Sequence, residues 1–253
     1  MGKKQVLGVD VGATGIKGGL VDVKKGVMLT ERYRLDTPRP ATPLAMARTF
    51  EDLIARIDYQ GPIGVGFPAV VNRNVAGSAA NIDESWIGTN IAKVFGERVD
   101  LPVFALNDAD AAGLATMRFG VGRKYRKHGV VLMITVGTGL GAALFLDGEL
   151  VPNMELGQLY LRDMDVIAEK FINNRMRKDN NMPFPQFGRM LGQYIAHVDV
   201  LFNPDLIVIG GGAAKYFAEY KGYLKAKAEI LPAELENTAG TVGAAYYAYR
   251  QNK

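Results

Sequence analysis

The chain has 253 residues, 48% apolar and 22% charged, with a formal net charge of +4, which is material for one large domain or two modest ones. It has no cysteine and two histidines, His128 and His197, which excludes a disulfide framework and thiolate metal ligation and argues against structural zinc. No apolar run approaches the roughly 18 residues of a membrane span and the opening MGKKQVLG lacks a signal-peptide pattern, so a cytoplasmic protein without a membrane partner is expected.

In chain order, VLGVDV and IKGGLVDV read as two strands around the loop GATG, and after the turn Lys24-Lys25-Gly26 the segment VMLTERYRL continues the meander. TPRPATP breaks the sheet and supplies Thr42 as N-cap and Pro43 as first residue of a helix whose apolar positions run from Leu44 to Ile57. GPIGVGFPAVV returns to strand. A helix near 90–97 precedes the strand LPVFALND and a helix from 109 to about 119. GVVLMITVGTGLGAALFLDGELV then repeats the opening: Val11-Gly12 and Asp22 recur as Val136-Gly137 and Asp147 at one constant offset. Two hairpins with matching glycine tips point to a duplicated, two-lobed fold. AEKFINNRMRK and QFGRMLGQYIAHVDVLF carry apolar residues at helical spacing, PDLIVIGGG is a buried strand with a triple-glycine exit, and AGTVGAAYYAYR is a closing helix. The class is α/β.

Backbone N–H groups in a tight turn bind phosphate oxygens where no bulky Cβ intervenes. Gly12, Ala13, Thr14 and Gly15, with Lys17 just beyond, fit that need, as do Gly137, Thr138, Gly139 and Gly141. Asp10 then stands where a carboxylate holds Mg²⁺, directly or through water. The plainer reading is that these glycines only turn hairpins. Gly137, Gly139 and Ala142 also match G-x-G-x-x-A, but that motif must open a helix and ALFLDGELV reads as a strand. Asp108 follows a strand and starts a helix, so it is either a catalytic carboxylate or an N-cap. Asp110 reads as first-turn charge on the helix dipole.

With those loops placed, the chain resembles the ROK family of repressors and sugar kinases, and within it the polyphosphate glucokinases. The stretches that carry the likeness are DVGATGIKGG, TPRPATP, GVGFPAVV, SAANIDESWIGT, LNDADAAGLATMRFG, VGTGLGAALFLDGELVPNMELG, PDLIVIGGG and NTAGTVGAA. The resemblance implies the two-lobed actin-like, hexokinase-like (ribonuclease H-like) ATPase fold, with residues 1–106 plus 241–253 as the smaller lobe and 107–240 as the larger. It implies a kinase transferring a phosphoryl group from polyphosphate or ATP to the 6-hydroxyl of glucose or a related hexose, with Mg²⁺ and without zinc.

By the same resemblance Asp108 is the general base. Asn81, Asn107, Glu155 and Gln158, with Asp108, contact the sugar, and Gly210, Gly211 and Gly212 approach the nucleotide. Trp86 either flanks the sugar or packs. A homodimer is implied. No nucleic-acid partner is expected, because the repressor members carry an N-terminal helix-turn-helix and here the first hairpin starts at residue 6. The basic run Arg118, Arg123, Lys124, Arg126 and Lys127 is a solvated face or a track for a polyphosphate chain.

The chain departs from the family at Gln158, where His is usual, at Ala13 and Ala69, where Gly is usual, and at Tyr160, where an acid is expected. An Ala13 held at positive φ would be strained. These departures motivate an alternative, a sugar- or phosphate-binding protein without turnover.

Overall fold

The computed structural model describes residues 4–161 and 164–253; residues 1–3, within the stretch read above for a signal, lie outside them. The chain divides into two compact units, Met1–Ala115 with Thr238–Lys253, and Thr116–Asn237.

The first unit holds β1 (Gln5–Val11), β2 (Ile16–Asp22), β3 (Val27–Met28), β4 (Tyr33–Leu35), α1 (Pro43–Ile54), β5 (Ile63–Phe67), β6 (Val71–Asn72), β7 (Val75–Ala76), α2 (Ile91–Val99), β8 (Val103–Asn107) and α3 (Asp108–Phe119), whose last residues belong to the second. The second unit holds β9 (Val130–Val136), β10 (Leu140–Leu146), β11 (Glu149–Val151), α4 (Ala168–Phe171), α5 (Asn174–Asp179), α6 (Phe184–Phe202), β12 (Leu206–Gly210), α7 (Phe217–Tyr220) and β13 (Glu229–Pro232). Helix α8 (Ala239–Gln251) closes the chain within the first unit.

The duplication inferred from the two hairpins is present in the sheets. The first runs β3-β2-β1-β5-β8 and the second β11-β10-β9-β12-β13. In each, the hairpin strands pair antiparallel and the last two joints are parallel. The segment after Gly26 is less regular than one strand: β3 and β4 pair separately with β2.

Strand periodicity decides what the first sheet carries on each face. Leu7, Val9 and Val11 of β1, with Ile63, Val65 and Phe67 of β5, enter one core with Phe50, Trp86 and Phe95. The alternate positions Gly8 and Gly64 face α8. A Cβ there would fall 2.0 Å from the Thr241 carbonyl oxygen and 1.8 Å from that of Ala244, so the helix backbone rests directly on the strands. Thr42 caps α1 as expected, accepting from the Ala45 N–H at 3.3 Å. Trp86 is fully buried, donates to the Ala41 carbonyl at 2.9 Å and packs on Phe67 and Phe95. Its role is packing.

One helical expectation needs correction, and one exit takes a tighter helix. The run 168–178 is not one helix, because Ile172 and Asn173 are extended and split it into α4 and α5; the Asn173 side chain competes successfully for the Met176 N–H at 2.7 Å. The triple-glycine exit leads into a 3-10 helix, Gly211–Tyr216, entered through Gly211 at φ 70°.

Candidate functional site

The carboxyl edge of the first sheet collects the acidic residues. Asp10 pairs with Gly66 across β1 and β5, and Gly66 pairs with Leu106 across β5 and β8. These three strands are parallel, so Asp10 and the Asn107-Asp108 pair leave the sheet at the same edge, about 10 Å apart at the usual strand spacing. That edge is where open α/β sheets bind ligands.

Asp10 shares the α8 face of β1 with Gly8. Its carboxylate meets the first turn of α8, where a Cβ on Gly240 would lie 3.1 Å from Cγ and Oδ1, and its Oδ2 is 3.8 Å from Lys17 Nζ. Burial raises its pKa above the usual carboxylate value, opposed by the charges of Lys17 and Arg32. Among the described residues no three acidic or imidazole side chains gather as a metal cage. One carboxylate beside free backbone donors still fits Mg²⁺, which takes one or two protein carboxylates and completes its shell with water and phosphate oxygens.

In the loop 12–15 the backbone acceptors are used and backbone donors are left open. Every carbonyl is occupied: Gly12 by Thr37 Oγ1 at 2.6 Å, Ala13 by Arg39 Nη2 at 3.0 Å, Thr14 by Arg34 Nη2 at 3.0 Å and Gly15 by the Gly12 N–H at 3.0 Å. The N–H groups of Ala13, Thr14 and Gly15 have no hydrogen bond to another described residue. Carbonyls bound and amides unbound give an anion-binding concavity. Neither Ala13 nor the glycines of this loop have positive φ, so alanine at 13 carries no strain. Arg34, Arg39 and Thr37 went unnoticed in the sequence, since nothing local shows that they turn back onto the loop.

Asn107, rather than Asp108, caps α3. Its Oδ1 accepts from the Ala109 and Asp110 N–H groups at 2.8 and 3.1 Å, and its Nδ2 donates to the Ala69 carbonyl at 3.0 Å. The helix begins at Asp108, whose Oδ1 accepts from the Ala109 N–H at 2.8 Å. Of the Asn107 side chain, one amide hydrogen is left for a ligand. Asp110 lies in the first turn, as read, but is buried rather than solvated. Asn81 is exposed and has no hydrogen bond to another described residue.

In the second unit the turn after β9 repeats the device on a smaller scale. The Gly137 N–H donates to the Gly139 carbonyl at 3.0 Å, and the Gly137 carbonyl accepts from Asn174 and Arg175 at the start of α5. Glu169 Oε2 accepts from the Leu140 N–H at 3.0 Å and lies where a Cβ on Gly139 would fall. Glu155 precedes the 3-10 turn Leu156–Gln158, and Gly157 in that turn packs against the Leu140 carbonyl, 2.3 Å from where its Cβ would be. Partial desolvation and the charge of Glu169 push Glu155 above the usual carboxylate range. Gln158 is exposed and takes part in the turn through its backbone. Gly141 belongs to β10, paired with Thr135. Gly210 ends β12, and Gly211 and Gly212 begin the 3-10 helix, with Gly212 against Asn174. Glu169 and Asn174 were both missed from sequence.

A model of the ROK family matches residues 6–155, more than half the chain. The chain belongs to the ROK family. The polyphosphate glucokinase of Mycobacterium tuberculosis (strain CDC 1551 / Oshkosh) is 39% identical to this ROK protein over 239 residues, 94% of this chain and 89% of that one. The crystal structure of the inorganic polyphosphate/ATP-glucomannokinase from Arthrobacter sp. strain KM superposes with a TM-score of 0.92 at 42% identity, covering 98% of this chain and 99% of that one. A ROK glucokinase from Streptomyces griseus, solved with glucose and AMPPNP, shares the fold with a TM-score of 0.81 at 24% identity, covering 97% and 99%. The architecture is therefore the actin-like, hexokinase-like fold of ROK sugar kinases.

Proposed function

We propose that this ROK protein is a sugar kinase, a phosphotransferase with an alcohol acceptor, that moves the terminal phosphoryl group of inorganic polyphosphate or ATP onto the 6-hydroxyl of glucose or a related hexose. The observation that carries the phosphate chemistry is the loop 12–15, with its carbonyls tied down and three amides left open. It stands at the sheet edge that also bears Asp10 and Asp108.

Asp108 takes the proton of the sugar hydroxyl as its oxygen forms the new bond to phosphorus, and the donor leaves one phosphoryl shorter. Phosphoryl transfer asks little more of a protein than positioning and charge neutralisation. Asp10 is the carboxylate that would hold Mg²⁺, which when bound neutralises charge on the donor phosphates. Lys17 and the amides of Ala13, Thr14 and Gly15 receive phosphate oxygens, and Gly137, Thr138, Gly139 and Gly141 supply the second glycine segment. Gly210, Gly211 and Gly212 give a nucleotide close access to the backbone. Sugar hydroxyls are the proposed partners of Asn81 and the remaining amide hydrogen of Asn107 in the first unit, and of Glu155, with Glu169 beside it, and Gln158 in the second. Such partners discriminate between sugars because a missing hydroxyl leaves them unpaired.

No helix among the described residues is long and apolar enough to cross a membrane; the proposal places the enzyme in the cytoplasm. The deciding experiment is a matrix of hexoses against ATP and polyphosphate with Mg²⁺, read as sugar 6-phosphate. Turnover in any cell supports the kinase; sugar binding by calorimetry with no product in any cell identifies a binding protein without chemistry. Light scattering on the same sample reads the homodimer.

A further inference from the structure

The segment 37–41 joins two parts of the first unit that lie far apart in the chain. At one end Thr37 Oγ1 and Arg39 Nη2 donate to the carbonyls of Gly12 and Ala13 at 2.6 and 3.0 Å. At the other the Ala41 carbonyl accepts from Trp86 Nε1 at 2.9 Å. Among the described residues the segment makes no other hydrogen bond. Pro38 and Pro40 fix φ on either side of Arg39, so the segment is a stiff strap, and a displacement at Ala41 is carried to the two side chains that hold the loop.

The far end of the strap is rooted in the core. Trp86 is fully buried, with its ring 4.7 Å from that of Phe67 and 5.6 Å from that of Phe95. Phe67 is the last residue of β5 and the register partner of Asn107 on β8. The indole therefore packs on the strand end beside Asn107, while its N–H holds the strap that holds the loop 12–15. Any aromatic ring of similar size serves the packing. The link to the strap needs the N–H, and Ala41 is itself buried, so water has little access to take the place of the indole at its carbonyl.

We propose that Trp86 is a positioning residue for the phosphoryl donor: through the strap 37–41 it steadies the Gly12 and Ala13 carbonyls and, with them, the direction of the open amides of Ala13, Thr14 and Gly15. The inference rests on the phosphate reading of that loop and deepens it by adding a residue that touches no substrate. Since every donor presents phosphates to the loop, the effect is the same for ATP and polyphosphate.

Calorimetry with Mg²⁺ and inorganic tripolyphosphate reads the loop without a nucleoside and without turnover. The proteins compared are wild type, Trp86→Phe, a cut-strap protein carrying Thr37→Val with Arg39→Ala, and the cut-strap protein with Trp86→Phe added. Trp86→Phe keeps a ring on Phe67 and removes the N–H. It is expected to weaken tripolyphosphate about threefold in the wild-type background and to have no effect in the cut-strap protein, where its route to the loop is gone. In steady state it should raise KM for ATP and polyphosphate by the same factor and leave KM for the sugar unchanged. Trp86 is the only tryptophan, so if Trp86→Phe does not fold, replacement by benzothienylalanine, which has the indole shape without the N–H, repeats the comparison. An equal loss of affinity in both backgrounds, or a lower melting temperature with tripolyphosphate affinity unchanged, overturns the positioning role and leaves Trp86 to packing. Wild type that binds no tripolyphosphate overturns it together with the phosphate reading of the loop. Wild type that binds tripolyphosphate but makes no sugar phosphate removes the kinase reading alone, and the four affinities still decide the strap.

Discussion

Asn107 donates through Nδ2 to the Ala69 carbonyl at 3.0 Å, which locks the last residue of β8 to the bend that follows β5. Since its Oδ1 also holds the first two free amides of α3, the start of the helix that presents Asp108 cannot pivot without breaking three hydrogen bonds. Ala69 fills this role through its backbone, with the side chain buried and φ not positive, so alanine in place of glycine there leaves the anchor intact.

The two neighbours should therefore fail differently. Asp108→Asn keeps the shape and removes the proposed base, so kcat should fall roughly 100-fold to 10,000-fold with sugar affinity and melting temperature nearly unchanged. Asn107→Ala removes a cap and leaves the Ala69 carbonyl unmet, so it should cost about 1–2 kcal/mol of stability by denaturant titration, with a loss of activity that follows the loss of position. Equal melting losses in the two variants would contradict this division.

Burial works against the ionised form of Asp10. Its pKa in the fold lies above the ordinary 3.8 because burial outweighs the attraction of Lys17 and Arg32. Between the unfolded and folded values the native state binds more protons than the unfolded one, so stability falls as pH rises through that window. Asp10→Asn should consequently raise the melting temperature at pH 7, and the gain should vanish in acid below both values. The same variant should lose donor turnover at pH 7, and in the wild type donor affinity should decline as pH falls through the folded value. A variant less stable than wild type at pH 7 would show that the ionised carboxylate is stabilising instead.

The loop 12–15 predicts opposite results for substitutions that look alike. Arg39→Ala or Thr37→Val frees one carbonyl and loosens the direction of the amides, and loss of one such bond should raise KM about fivefold for ATP and polyphosphate alike. Ala13→Gly relieves nothing, since φ at Ala13 is not positive, and should lower stability by about 0.4–1 kcal/mol through the freer unfolded chain. Initial rates at varied donor and thermal melts read the two effects separately.

What the sequence made legible was whatever repeats locally. The hairpins β1-β2 and β9-β10 were readable from apolar runs around glycines, and the constant offset between them led to the sheet duplication. The ends of β1 and β8 were readable too, which put Asp10 and Asp108 on the list. Contacts made at long separation left no local trace. Arg34 and Arg39 reach loop carbonyls 20 and 26 residues away, and Glu169 meets Leu140 across 29. The break between α4 and α5 was hidden for another reason: helical spacing of apolar residues continues across Ile172 and Asn173, while the Asn173 side chain ends one helix and caps the next.

Glu169 offers a test on the sugar side. Its carboxylate raises the pKa of Glu155, adding to desolvation, while its Oε2 accepts from the Leu140 N–H. Glu169→Gln removes the charge and keeps an acceptor for that amide, so the Glu155 pKa should fall toward its ordinary value. As the proposed acceptor from sugar hydroxyls, Glu155 binds them more strongly when ionised, because a charged acceptor makes the stronger hydrogen bond. The acid limb of sugar affinity should accordingly move to lower pH in Glu169→Gln, and Glu155→Gln should abolish the limb while weakening binding at every pH. Titration of sugar binding across pH in the three proteins checks this, and an acid limb that stays in place in Glu169→Gln would mean that burial alone sets the ionisation of Glu155.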